Sequence, residues 1–177
     1  VMRSGYRVQT TLDVKAQQAL TDSISAGITH INAMGGSNAS GIVIDPTDGG
    51  IRALVGSADY NNEQWGKVNM VTTARQPGSS FKPIYYSYAL ADGAITPATV
   101  LQDKVTDFGG GYVPRDADRR ESSRGQASVR GAISMSLNIP SVHVMQQYGI
   151  AKSITAAKNL GITIDESRNY GLSLALG

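Results

Sequence analysis

The stretch RQPGSSFKP, residues 75–83, holds a serine and a lysine three positions apart, directly after a Pro-Gly pair. Pro-Gly pairs mark turns, and the residues that follow this one predict a helix from about Ser79 to Ala91. Pro83 is compatible with that helix, because in the first turn its missing N–H is not needed. Residues three apart on a helix lie on the same face, so we expect the side chains of Ser79 and Lys82 within hydrogen-bond reach of each other.

This pair suggests nucleophilic catalysis. A serine hydroxyl is a poor nucleophile unless a neighbouring base takes its proton, and Lys82 can do so only when it is neutral. Burial and the positive end of a helix both lower the pKa of a lysine. The N–H groups at the same helix start would suit an oxyanion. Taken alone, the spacing also fits Ser79 or Ser80 as a helix N-cap with a lysine that points into water.

Composition is that of an ordinary globular protein. Of 177 residues, 41% are hydrophobic and 17% are charged, which argues against disorder. The net charge is +2, and the basic residues are dispersed apart from Arg119, Arg120 and Arg124, which we interpret as part of a solvated loop. Aromatic residues do not alternate with basic ones, so nucleic-acid binding is not favoured.

The sequence offers no pattern for a metal or a cofactor. Cysteine is absent, which excludes disulfides, a thiol nucleophile and cysteine-ligated metals. His30 and His143 have no partner at metal-ligand spacing and are interpreted as surface or core histidines. The three glycines at 109–111 lack the lysine and the following Ser or Thr of a phosphate-binding loop. We therefore expect no metal and no cofactor.

The first part of the chain predicts a strand, a helix and a hairpin. Tyr6 to Leu12 alternates and is rich in β-branched residues, which is typical of a strand. Asp13 is placed to cap a helix that runs to about Asn32. Gly41 to Ile44 and Ile51 to Val55 are apolar runs around a loop rich in Asp, Pro and Gly, which predicts a hairpin.

The second part predicts helices after a long irregular segment. Asp103 to Gln126 is rich in glycine and charge and is interpreted as a long loop, functional or mobile. Helical patterns follow at Ser128 to Leu137, Pro140 to Tyr148 and about Ala151 to Leu160. The end, Tyr170 to Gly177, is apolar and uncapped, which suggests a chain cut inside a domain.

RQPGSSFKP resembles the active-site segment of class A penicillin-binding proteins, specifically of their transpeptidase domain. Other segments resemble parts of the same domain in the same order, so that the likeness covers nearly the whole chain. They are VQTTLD at residues 8–13 with Gln17, GIVIDPTDGGIRALVG at 41–56, Asn69, GQASVRGAISMSLNIP at 125–140 with Ser136-Leu137-Asn138, and LSLALG at 172–177.

The resemblance implies a fold and four site residues. The fold would be the α/β (α+β) transpeptidase fold of penicillin-binding proteins and β-lactamases, an antiparallel sheet flanked by helices, incomplete in this chain. Residues 1–177 would be the N-terminal part of the domain. Ser79 would be the acylated nucleophile, and Lys82 its base. Ser136 would relay a proton with Lys82, and Asn138 would hold the amide of the substrate.

The implied function is that of a peptidoglycan D,D-transpeptidase. Such an enzyme crosslinks stem peptides through a serine acyl-enzyme and is acylated by β-lactam antibiotics. It would act at the extracytoplasmic face of the bacterial membrane, anchored by a segment that is not in this chain. Two alternatives stay open: a D,D-carboxypeptidase or β-lactamase-like hydrolase, and a non-catalytic scaffold or sensor that binds partners or β-lactams.

Two departures from the family pattern accompany the likeness. The third motif, Lys-Thr-Gly or Lys-Ser-Gly, is absent from the sequence. We expect it after Gly177, in a second chain or fragment that carries the rest of the domain, and we expect this chain alone not to be a competent enzyme. Tyr112-Val113-Pro114 resembles the segment that precedes the second motif, but Asp116 stands where Asn is commoner, with no consequence that the sequence assigns.

Overall fold

The computed structural model describes Gly5, residues 7–117 and residues 125–177. The chain divides into two units, Val1–Arg75 and Gln76–Gly177. Within the described ranges, no helix has the combination of length and apolar character that crossing a membrane requires. The loop interpretation of Arg119, Arg120 and Arg124 falls outside the described residues.

The described part of the first unit has one helix and one hairpin. Helix α1 spans Val14–Ala33, and the Asp13 carboxylate caps it by accepting a hydrogen bond from the N–H of Ala16 at 2.9 Å, as predicted. The predicted hairpin is also confirmed: strands β1, Gly41–Ile44, and β2, Ile51–Val55, pair antiparallel. Helix α1 packs on this hairpin.

The hairpin turn is held by a cluster of charged side chains. The Arg52 guanidinium contacts Asp45 at 3.0 Å and Asp48 at 2.6 Å. Hydrogen bonds from Thr47, followed by the one from Arg52, lower the pKa of Asp45 to about 2. The turn therefore keeps its charge pairing at any pH near neutrality, which fixes the register of the two strands.

The predicted strand Tyr6 to Leu12 is wrong over residues 7–12, which have no regular structure, while Tyr6 lies outside the described residues. The backbone of β2 is bonded here by other groups. The Gln17 side-chain amide donates to the Leu54 carbonyl at 3.2 Å and accepts from the Leu54 N–H at 2.9 Å. The preceding residues reach β2 only through isolated bonds, such as that from the Thr11 hydroxyl to the Ile51 carbonyl, so no ladder forms.

In the described residues of the second unit there are four helices, one strand pair and two 3₁₀ turns. Strand β3, Val100–Asp103, pairs antiparallel with β4, Gly125–Ser128. These strands include both ends of the segment interpreted as irregular, so that interpretation is wrong there. The helices are α2 (Lys82–Ala91), α3 (Val129–Ser134), α4 (Asn138–Tyr148) and α5 (Ile150–Asn159), with 3₁₀ turns at Gly78–Phe81 and Leu172–Leu176.

The core of this unit lies between α2, α4 and the strand pair, and includes the fully buried Tyr85 and Tyr86. Both tyrosine hydroxyls bond to Ser141 of α4: that of Tyr86 meets the Ser141 hydroxyl at 3.1 Å, and that of Tyr85 donates to the Ser141 carbonyl at 3.3 Å. Burial raises the pKa of Tyr86 to about 12, so these groups stay neutral. The network ties α2 to α4, the two helices that begin at the candidate site.

The apolar segment at the end of the sequence packs beside the serine-lysine motif. Its 3₁₀ turn, Leu172–Leu176, is followed by Gly177, which lies so close to the backbone of Gly78 that a Cβ on residue 177 would collide with the Gly78 N–H and carbonyl. Leu174 and Ala175 of the same turn are buried in the core, and the Ala175 carbonyl, 3.1 Å from the Tyr85 hydroxyl, shares the single O–H of that tyrosine with the Ser141 carbonyl. The turn therefore supports α2 from the side of the motif.

Candidate active site

The serine and the lysine of the motif lie on different kinds of helix. Ser79 is exposed in the 3₁₀ turn Gly78–Phe81, and α2 begins only at Lys82, which corrects the predicted helix start at Ser79. The reason is Pro83. It has no N–H to donate to the Ser79 carbonyl in the α-helical manner, and the N–H of Lys82 donates to that carbonyl instead, which is the tighter 3₁₀ pattern.

The Lys82 side chain is buried, with 2% of its surface exposed. Its ammonium has three contacts: the Ser136 carbonyl at 2.7 Å, the Ser136 hydroxyl at 3.3 Å and the Asn138 side-chain oxygen at 2.7 Å. An ammonium has three N–H donors, so these three acceptors match its protonated form. The structure therefore joins two motifs that are 54 and 56 residues apart in the chain. Ser79 is not among the three partners of the ammonium, so the predicted hydrogen bond between the Ser79 and Lys82 side chains is wrong: Lys82 points toward Ser136 and Asn138 instead.

Burial lowers the pKa of Lys82, because the charged form loses its hydration. The negative charge of Asp116 acts in the opposite direction and raises it. Burial is the larger of the two effects. Lys82 therefore loses its proton, and becomes the neutral amine that a base must be, more readily than a lysine exposed to water.

Ser136 has an unusual backbone for a residue other than glycine, with φ of +53°. It follows α3 at the position where a glycine commonly ends a helix. The N–H of Ser136 donates to the Ile133 carbonyl at 3.0 Å, and that of Leu137 to the Ala132 carbonyl at 2.9 Å, which is the hydrogen-bond pattern of a Schellman motif. A left-handed backbone costs a side-chain-bearing residue about 1–2 kcal/mol. The chain thus carries a strained serine, whose hydroxyl contacts Lys82, at a position where glycine would be more stable.

Two substitutions separate the strain at Ser136 from its hydroxyl. We expect Ser136→Gly to be more stable than Ser136→Ala by roughly 1 kcal/mol in the free energy of unfolding, because only glycine adopts this backbone without strain. Both variants lack the hydroxyl, so both are expected to lose activity to a similar extent. Thermal unfolding of the full-length protein checks the expected difference in stability. Its rate of acylation by a fluorescent penicillin checks the expected loss of activity. Equal stability of the two variants would contradict the strain argument.

Asn138 is the first residue of α4, and both atoms of its amide are bonded. The oxygen accepts from Lys82, and the nitrogen donates to the Arg115 carbonyl at 2.7 Å. The backbone N–H of Asn138 donates to the Asp116 carboxylate at 2.5 Å. Sequence reasoning assigned no role to Arg115 or Asp116. The one signal in the sequence was that Asp116 departs from the family pattern. Asp116 and Asn138 are 22 positions apart, and no local spacing relates residues at that separation.

The two histidines belong to different units of the chain. His30 is exposed on α1, and the His143 ring packs edge-on against Phe108 with 4.8 Å between ring centroids. Burial lowers the pKa of His143 and favours its neutral form. The interpretation of these residues as surface and core histidines agrees with these positions.

Known proteins supply the context for this arrangement. The sequence profile of the family described as the penicillin binding protein transpeptidase domain matches residues 39–172. The chain belongs to this family. The likeness to a penicillin-binding transpeptidase domain inferred from the motifs is therefore confirmed, and so is the fold class of helices with antiparallel strands.

Individual penicillin-binding proteins agree with the family match. The chain is 30% identical to penicillin-binding protein 1F of Bacillus subtilis and 35% identical to penicillin-binding protein 1C of Escherichia coli, over 100% and 97% of its own length. It covers 24% and 22% of those proteins, so it spans about a quarter of their length. The crystal structure of penicillin-binding protein 1A from Haemophilus influenzae superposes with a TM-score of 0.65 at 27% identity, over 79% of this chain and 21% of that one.

Proposed function

We propose that residues 1–177 form the N-terminal part of a peptidoglycan D,D-transpeptidase domain, with Ser79 as the nucleophile and Lys82 as its base. The family match supports the reaction class. The observation that carries the assignment of residues is the buried Lys82 ammonium, held by Ser136 and Asn138 at the start of the helix that follows the exposed Ser79. Most lysines in folded proteins keep their charged group in water. The Lys82 ammonium is instead removed from water, next to the turn that carries the Ser79 hydroxyl, and such a perturbed group is typical of a functional site.

In the first half-reaction, the Ser79 hydroxyl oxygen attacks the carbonyl carbon between the last two D-alanines of a stem peptide. Neutral Lys82 takes the hydroxyl proton, and its lowered pKa increases the fraction that is neutral. The bond between that carbon and the nitrogen of the terminal D-alanine breaks, and the leaving amine receives the proton that Lys82 took from Ser79. An ester between Ser79 and the stem peptide remains.

Ser136 is suited to proton transfer, and Asn138 is suited to hydrogen bonding with the substrate. The Ser136 hydroxyl accepts from the Lys82 ammonium, but a hydroxyl can also donate, so it can return a proton to neutral Lys82 across the same 3.3 Å contact. The Asn138 side-chain nitrogen has two N–H donors. One is bonded to Arg115, which leaves the other for a carbonyl of the substrate.

In the second half-reaction, the nitrogen of an amine on a neighbouring stem peptide attacks the ester carbonyl carbon, and neutral Lys82 takes the amine proton. The bond from that carbon to the Ser79 oxygen breaks, the crosslinking amide forms, and the proton passes to the Ser79 oxygen. A β-lactam would acylate the same serine and stay bound. We further propose that the domain works at the extracytoplasmic face of the cell membrane, held by an anchor outside residues 1–177. The later part of the domain, in the same polypeptide or a second one, would supply the third motif.

The test is labelling of the full-length protein with penicillin, followed by intact-mass measurement and peptide mapping. We expect a gain of one penicillin mass, located on the peptide that contains Ser79. Incubation with a stem-peptide substrate, with and without an amine acceptor, then separates transfer from hydrolysis: a crosslinked product supports a transpeptidase, and hydrolysis alone supports a carboxypeptidase. An adduct on another residue, or none, would overturn the assignment of Ser79.

A further inference from the structure

The start of α4 is capped from another segment of the chain. The residue before the helix is Leu137, whose apolar side chain accepts no hydrogen bond. The Asp116 carboxylate takes that role: one of its oxygens accepts from the N–H of Asn138 at 2.5 Å and from the N–H of Ile139 at 3.3 Å. Asn138 is half-buried and Ile139 is only 3% exposed, so water has limited access to these donors. A negative charge is also favourable at the positive end of a helix.

The neighbouring residue holds the side chain of the same asparagine. The Arg115 carbonyl accepts from the Asn138 side-chain nitrogen at 2.7 Å, which directs the amide oxygen toward Lys82, also at 2.7 Å. A reversed amide would present N–H donors to the ammonium and lose both bonds. Arg115 and Asp116 together therefore fix both the backbone and the side-chain orientation of Asn138.

The same carboxylate also influences the base electrostatically. In the described part of the chain, Asp116 is the charged group that acts on the pKa of Lys82, and it raises that pKa against the effect of burial. The other groups that face the ammonium, from Ser136 and Asn138, are neutral. Removing the Asp116 charge therefore lowers the pKa of Lys82 and increases its neutral fraction at a given pH.

We propose that Asp116 is a positioning residue of this site, which holds Asn138 against Lys82 through the capped start of α4. The inference rests on the proposed function, since it concerns how the base of that reaction is held. It assigns a consequence to the residue at which the sequence departs from the family pattern.

Two substitutions separate the cap from the charge. Asp116→Asn keeps an oxygen that can accept from both N–H groups but removes the charge, whereas Asp116→Ala removes both. The measurement is the rate of acylation of the full-length protein by a fluorescent penicillin across a pH series. Asp107→Ala, which changes an exposed aspartate of the same connecting segment, is the matched control. A thermal scan of each variant verifies folding.

Acylation requires neutral Lys82, so its rate rises with pH through the pKa of that lysine. We expect both Asp116 variants to shift this rise to lower pH. We expect the plateau rate of Asp116→Ala to fall by roughly tenfold or more, because misplacing a catalytic group by a fraction of an ångström is costly. Asp116→Asn is expected to retain a plateau close to that of the original protein, and Asp107→Ala to change neither quantity.

Two results would overturn the inference while leaving the proposed function intact. One is an Asp116→Ala protein with the original plateau and the original pH dependence. The other is an Asp116→Asn protein that is acylated as slowly as Asp116→Ala and whose pH dependence is not shifted. That result is expected of a residue that only supports the fold. Failure of the unsubstituted protein to be acylated would instead contradict the proposed function, and with it the role of Asp116.

Discussion

Ser79→Ala is expected to abolish covalent labelling of the full-length protein by penicillin. The acyl group has no oxygen to bond to once the hydroxyl is removed, so no ester can form, whatever the state of the base. Because the Ser79 side chain is exposed, its loss leaves no cavity and no unsatisfied buried group. We therefore expect the free energy of unfolding to change by less than about 0.5 kcal/mol. Intact-mass spectrometry after exposure to penicillin measures the first effect, and thermal unfolding the second.

The control for this experiment is the adjacent serine. Ser80 is also exposed in the turn Gly78–Phe81, and its hydroxyl donates to the Pro77 carbonyl at 2.6 Å. We expect Ser80→Ala to be labelled at close to the original rate, because that hydroxyl is engaged in the turn. Labelling that persists in Ser79→Ala and disappears in Ser80→Ala would mean that the nucleophile is Ser80.

Lys82→Met is expected to reduce the rate of acylation by about 10²–10⁴-fold, the usual contribution of a positioned general base. Methionine is chosen because it is unbranched and similar in length to lysine, so it fills the buried space that alanine would leave empty. The loss of three hydrogen bonds from the ammonium is offset in part because no charge has to be buried. The variant should therefore fold, which separates the chemical effect from unfolding.

The pH dependence distinguishes a base from a structural lysine. In the original protein the rate of acylation rises with pH as Lys82 loses its proton, and burial moves this rise below the pH expected for an exposed lysine. Lys82→Met should show a low rate without that rise. Lys104→Met, at an exposed lysine, should leave both the rate and its pH dependence unchanged. A Lys82→Met protein that is slow but keeps the original rise would assign the base to another group.

The local elements of this fold are largely encoded in short stretches of sequence. The capped helix α1, the hairpin β1–β2 and helices α2 and α5 were predicted to within a few residues, because a cap, a turn or a helical period involves residues close together in the chain. The strand predicted before α1 failed for a related reason. Its β-branched pattern is suitable for pairing, but pairing also needs a free strand edge, and Gln17 occupies the edge of β2.

The family followed from the sequence by itself, since nine consecutive residues carry the motif, and the proposal of Ser79 and Lys82 as nucleophile and base rests on the same stretch. The packed structure alone determined how these groups are held. Lys82 meets Asn138 across 56 positions of sequence, Asp116 caps a helix 22 positions away, and β3 pairs with β4 across a long connection. Such contacts depend on how helices and strands pack in three dimensions. The spacing of residues in the sequence does not show which carboxylate lies at the start of α4. That contact depends on the core, which packs α2 against α4.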